Sequence, residues 1–105
     1  MKLTGKQRSY LRSLAHHFPP AIIIGKNGLT DAGIAHIKEL LDKHELIKIK
    51  FLSTNKEYFK NKLTERTSSF IVGSIGKVFI LYKESVDDDK RKIILPKKWK
   101  NSYFL

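Results

Sequence analysis

The sequence contains no cysteine, which excludes disulfides and thiolate metal sites and permits a reducing compartment. Negative charge is scarce. No Asp or Glu occurs before Asp31, and ten acids in all stand against 21 Lys and Arg, a formal net charge of +11. Such an excess suits a polyanionic partner, and charge alone does not choose between nucleic acid and an anionic membrane surface. No apolar run approaches the length of a membrane span. The opening MKLTGKQRSY lacks the apolar centre of a signal peptide. A soluble cytoplasmic protein with no membrane partner is the expectation. At 105 residues, 41% of them hydrophobic, the chain is long enough for one small domain with a single core.

Residues 3–18 read as a helix. Leu11, Leu14, Ala15 and Phe18 recur at helical spacing, with Leu3 and Tyr10 extending the stripe. Thr4 and Gln7 stand at the spacing of a capping box, and Pro19-Pro20 ends the helix. Lys6, Arg8 and Arg12 fall on its remaining surface. The apolar run at residues 21–24 has no polar alternation and predicts a strand covered on both faces. A second helix is expected from Thr30 to Lys43, with Ile34, Ile37, Leu41 and His44 on one face. LIKIKF at 46–51 alternates as a half-buried strand. A third helix over 55–67 turns Phe59, Leu63 and Thr67 inward and Lys56, Lys60, Lys62 and Arg66 outward. FIVGSI and VFILY, joined by Gly76-Lys77, predict a hairpin.

The order is therefore α-β-α-β-α-β-β, an α/β layered domain. Right-handed crossover makes the first two strands parallel if they are neighbours, and the hairpin adds an antiparallel pair. Beyond it, ESVDDDKRK reads as a charged loop and IILP as a short edge strand ended by Pro96. We expect a domain over 1–96 and a basic, aromatic, flexible tail over 97–105.

The segment AIIIGKNGLTDAGIAHI places Gly25-Lys26-Asn27-Gly28 between a strand and a helix. A plain turn accounts for the four residues, since Asn-Gly is a common turn dipeptide. The same place also suits a phosphate, because backbone N–H groups and the helix dipole at a helix N-terminus attract anions. Glycine permits a sharp turn and close approach of a ligand. Lys26 adds charge, and Asn27 adds a side-chain donor. A nucleotide-binding P-loop fits poorly, because it needs a longer glycine spacing followed by Lys and Ser or Thr.

Taken together, LTGKQRSYLRSLAHHFPPAIIIGKNGLTDAGIAHI, HELIKIKF and IGKVFILYK resemble the bacterial YhbY-like proteins. These are stand-alone versions of the CRM (chloroplast RNA splicing and ribosome maturation) domain. The resemblance spans about residues 2–83, plus KIILP. It implies a single compact RNA-binding domain with a mixed four-stranded sheet and three helices. That fold is similar to the C-terminal domain of bacterial translation initiation factor three. It also implies a Gly-x-x-Gly loop similar to that of KH domains, which clamps a nucleic-acid backbone. Family members are associated with the precursor of the large ribosomal subunit. The loop role passes to Gly25, Lys26, Asn27 and Gly28, and the basic first helix is expected to border the binding face.

Lys2, Lys6, Arg8 and Arg12 are the candidate flanking cations, with Lys56 and Tyr58 as further RNA contacts. His16, His17, His36 and His44 show no metal-ligand spacing with a supporting acid, and surface or structural roles are expected for them. Asp87-Asp88-Asp89 reads as solvated carboxylates. No nucleophile, paired-carboxylate or cofactor motif is present, so neither catalysis, a cofactor nor a small-molecule substrate is expected. The leading reading is a non-catalytic, monomeric module for ribosomal RNA. A DNA-binding protein using the same loop and a phosphate-processing enzyme are the alternatives.

Overall fold

The computed structural model describes residues 3–25, 28–52, 55–87, 89 and 91–96. Helix α1 (Gly5–Ala15) opens with the expected capping box. Thr4 Oγ1 accepts from Gln7 N–H at 3.1 Å, and Gln7 Oε1 accepts from Thr4 N–H at 3.0 Å. The helix stops at Ala15, short of the prolines and of Phe18. Phe18 and Tyr10 are both exposed, while Leu3, Leu11 and Ala15 are buried. Strand β1 (Ile22–Ile24) leads to α2 (Asp31–His44), β2 (Leu46–Phe51), α3 (Lys56–Thr67), β3 (Phe70–Ile75) and β4 (Val78–Tyr82). The element order is the expected one.

The sheet runs β1-β2-β4-β3. β1 lies parallel to β2, and β4 is antiparallel to both β2 and β3, so the sheet is mixed. Two apolar clusters sit on its two faces. Ile47 and Ile49 of β2 and Phe79 and Leu81 of β4 pack with Ile34, Ile37 and Leu41 of α2 and with Phe59 and Leu63 of α3. Leu46, Val72, Ile80 and Tyr82 pack on the other face with Leu3, Leu11 and Ala15 of α1 and its approach. The period-two pattern of β2 is what divides its side chains between these clusters.

The structure corrects three local expectations. Strand β1 is covered on one face only: Ile23 is 59% exposed. The cause is placement, because α1 packs on β3, β2 and β4 and leaves the β1 edge open. His44 is exposed in the last turn of α2 instead of joining Ile34, Ile37 and Leu41 in the core. Residues 93–96 form no strand. The amides of Lys92 and Ile93 donate instead to Glu45 Oε1 at 2.6 and 2.9 Å, while Ile93 and Leu95 pack on the α1 cluster.

Glu45 is the pivot of that arrangement. It is the one residue between α2 and β2, has φ +64°, and is fully buried. Its other carboxylate oxygen accepts from Ser85 N–H at 2.7 Å, and its carbonyl accepts from Lys83 N–H at 2.9 Å. Three backbone donors satisfy the carboxylate, and charge-assisted bonds of this kind offset the cost of burying it. The loop after β4 is thereby fastened at Ser85 even though Val86 and Asp87 are exposed.

Candidate nucleic-acid interface

The loop after β1 closes on itself. Gly28 N–H donates to Gly25 O at 3.1 Å, and Gly28 has φ +80°, a backbone region natural to glycine. A Cβ at Gly28 would meet the Phe59 ring at 3.1 Å, so the turn rests directly on α3. Below it lies a run of aromatic rings. Phe59 stacks on Phe51 with centroids 5.0 Å apart, Phe51 meets Phe79 edge-on at 5.0 Å, and Tyr58 meets Phe59 edge-on at 5.5 Å. Cations border these rings. Lys56 Nζ lies 5.6 Å from the Phe79 centroid and Lys62 Nζ 5.6 Å from that of Tyr58.

Lys62 also donates to Leu29 O at 3.3 Å and to Tyr58 Oη at 3.5 Å, so α3 is tied to the segment leaving the loop. Lys62, expected only on the outer face of α3, is thus an additional residue of this surface. Its spacing of four from Tyr58 was the available signal. At the start of α2, Thr30 Oγ1 accepts from Gly33 N–H at 3.0 Å, and Asp31 pairs with Arg66 at 3.2 Å. The amides of Gly28 and Gly33 are therefore engaged within the chain. The loop offers its exposed Gly25 backbone and a cationic, aromatic flank, and less of an open helix N-terminus than the sequence suggests.

The predicted contacts fall into two groups. Gly25, Gly28, Lys56 and Tyr58 come together around the loop and α3, and Tyr58 is 53% exposed. Lys6, Arg8 and Arg12 lie on α1, across the sheet from α3. Arg8 donates to Ile71 O and Arg12 to Val72 O, each at 2.9 Å. These bonds reach β3, an edge strand, at the irregularity between Ile71 and Gly73. The two arginines thus blunt an edge as well as carrying charge, and Arg12 remains exposed. Lys2, Lys26 and Asn27 lie outside the described residues. So do residues 97–105. Among the described residues, no group of three or more His, Cys, Asp or Glu side chains gathers to hold a metal, and no helix is long and apolar enough to cross a membrane.

A family model for the CRS1 / YhbY (CRM) domain matches residues 3–83. The chain belongs to the CRS1/YhbY (CRM) domain family. Its CRM-family relatives include the Haemophilus influenzae "RNA-binding protein", 37% identical over 99 residues, 91% of this chain and 97% of the relative. The Bacillus subtilis "Probable RNA-binding protein YqeI" is 43% identical over 98 residues, 90% of this chain and 99% of the relative. The solution structure of SAV1595 from Staphylococcus aureus superposes with a TM-score of 0.74 at 39% identity, covering 90% of this chain and all of that one. The CRM assignment and the mixed sheet with three helices agree with the resemblance seen in the sequence.

Proposed function

We propose that this CRM protein binds ribosomal RNA, or the precursor of the large ribosomal subunit, during ribosome assembly, as a non-catalytic cytoplasmic monomer. The observation that carries the reading is the surface around the loop: a Gly25–Gly28 turn seated on Phe59, with Lys56, Tyr58 and Lys62 beside it. The names of the relatives supply the preference for RNA over DNA. The assembly role rests on the family resemblance. Residues 1–96 are the RNA-binding domain in this reading, and 97–105 lie outside the described residues.

In mechanism, Gly25, Lys26, Asn27 and Gly28 hold the phosphodiester backbone, Lys56 adds charge, and Tyr58 stacks on an accessible base. Lys6, Arg8 and Arg12 form a second cationic surface on the α1 side, and Lys2 is a further RNA contact in this reading. Arg8 and Arg12 each use one guanidinium donor on β3, and five are available per side chain. Binding of this kind falls steeply with salt and reads RNA shape more than sequence.

Lys26→Asp combined with Asn27→Asp tests the loop. Affinity for ribosomal RNA at low salt should fall about a hundredfold with the melting temperature unchanged. Unaltered affinity removes the loop from the mechanism. Competition between structured ribosomal RNA and duplex DNA decides between the two nucleic acids, and stronger retention of DNA would reverse the assignment.

A further inference from the structure

Helix α1 covers only part of its face of the sheet. Strand register places Ile23 of β1 beside Lys50 of β2, Lys50 beside Val78 of β4, and Val78 beside Ile75 of β3. These four form one row across all four strands, on the side away from α2 and α3. Ile23 and Ile75 are 59% and 75% exposed, and Lys50 is exposed. Lys48, in the next row, points to the same side because strand side chains alternate. The row lies at the end of the sheet where β1 passes into the Gly25–Gly28 turn.

Two adjoining hollows run from this row toward the start of β2. One, of about 180 Å³, is lined by Pro20, Lys48, Ile75, Val78 and Ile80. The other, of about 380 Å³, shares Pro20 and Lys48 and extends toward Phe18 and His44. Lys48 Nζ donates to Phe18 O at 2.8 Å, which fixes the ammonium where the hollows meet. Among the described residues, neither hollow nor the row contains an acidic side chain.

We propose that this open half of the sheet seats unpaired bases of single-stranded RNA that continues from the Gly25–Gly28 loop. The inference rests on the RNA-binding reading above and adds the substrate class: single strand instead of duplex. Ile23, Val78, Ile75 and Pro20 offer apolar contact to splayed bases, and Lys48 and Lys50 meet the phosphates between them. Two lysines with no acid favour a polyanion, because lysine is depleted at the centres of protein–protein interfaces. Hollows of this kind admit unstacked bases, whereas a duplex keeps its bases stacked and paired out of reach of such a surface.

The experiment uses the full chain with two probes, a short single-stranded RNA and the blunt duplex it forms with its complement. Ile23→Thr with Ile75→Thr keeps β-branched residues on exposed strand positions, so the fold should survive, as a melt will confirm. Single-strand affinity should fall about tenfold while duplex affinity changes less than about twofold. Lys50→Gln, which leaves the apolar residues in place, should reduce the single-strand salt slope by about 0.7. Equal losses on both probes, or no loss on the single strand, overturn the proposal. Concentration-dependent self-association abolished by the double variant, with RNA affinity untouched, assigns the face to a second copy and also overturns it. A wild-type chain that binds neither probe brings down the RNA reading itself. A loop variant that loses RNA while the sheet variants do not brings down this inference alone.

Discussion

The two ends of the sheet are built on opposite plans. Where β1 and β2 finish, the chain presents a glycine turn over aromatic rings, with cations beside them and exposed aliphatic side chains around. Where β2 begins and β4 ends, a buried carboxylate gathers three backbone amides, and a tyrosine is closed off beside it. One end is open and cationic; the other keeps a carboxylate and a tyrosine buried. The proposed recognition surface and this buried anchor lie apart, so substitutions at the anchor should change folding without touching the proposed binding residues directly.

Glu45→Ala is the strongest test of that division. It leaves three half-buried amides without their acceptor and keeps a non-glycine residue at positive φ. Unfolding free energy measured in urea should drop by about 3 kcal/mol, while the fraction still folded binds RNA with unchanged affinity. Loss of affinity at native conditions in the folded fraction would mean that the two ends are coupled.

Gly28→Val comes next and attacks the open end. The added side chain faces the Phe59 ring at 3.1 Å in a backbone region that β-branched residues avoid. A stability loss of about 2 kcal/mol is expected, accompanied this time by weaker RNA binding. If binding holds while stability falls, the turn serves the fold alone.

Tyr82→Phe should do least. The Tyr82 hydroxyl is buried with no hydrogen-bond partner among the described residues. Burial, together with the negative charge of Glu84 and Glu45, pushes its ionisation well above the ordinary tyrosine value. Because the folded state resists deprotonation, this tyrosine contributes fully below pH 10.0 and its contribution is lost as pH rises above that value. The variant should match wild type at neutral pH within about 0.5 kcal/mol and lose less stability in alkaline solution. A marked loss at neutral pH would reveal a partner for the hydroxyl and a less closed site.

Much of this architecture was legible in the residues. The capping box of α1, the alternation of β2, the inward triplet Phe59, Leu63 and Thr67, and the Gly76-Lys77 hairpin are all local patterns, and local patterns survive folding. What could not be read depends on partners far along the chain. Nothing near Glu45 shows that its carboxylate will take amides from positions 85, 92 and 93. Arg8 and Arg12 look like free surface charge until β3 is seen to need donors at Ile71 and Val72. The three isoleucines of β1 gave no sign of which face would stay bare, since that depends on where α1 settles. At the loop, the glycine spacing was visible, but the internal bond from Gly28 to Gly25 and the seat on Phe59 were not.

Gln7 Nε2 donates to Pro96 O at 2.9 Å, across 89 positions of sequence, and Leu3 shares a cluster with Leu95. A chain made from its N-terminus onward therefore exposes the apolar stripe of its first helix long before the matching surface exists. That helix must wait for Val72, Ile80 and Tyr82, and then for Leu95, to leave the ribosome. This layer of the protein closes only once Leu95 and Pro96 have emerged, and until then the nascent stripe is open to chaperones or to aggregation.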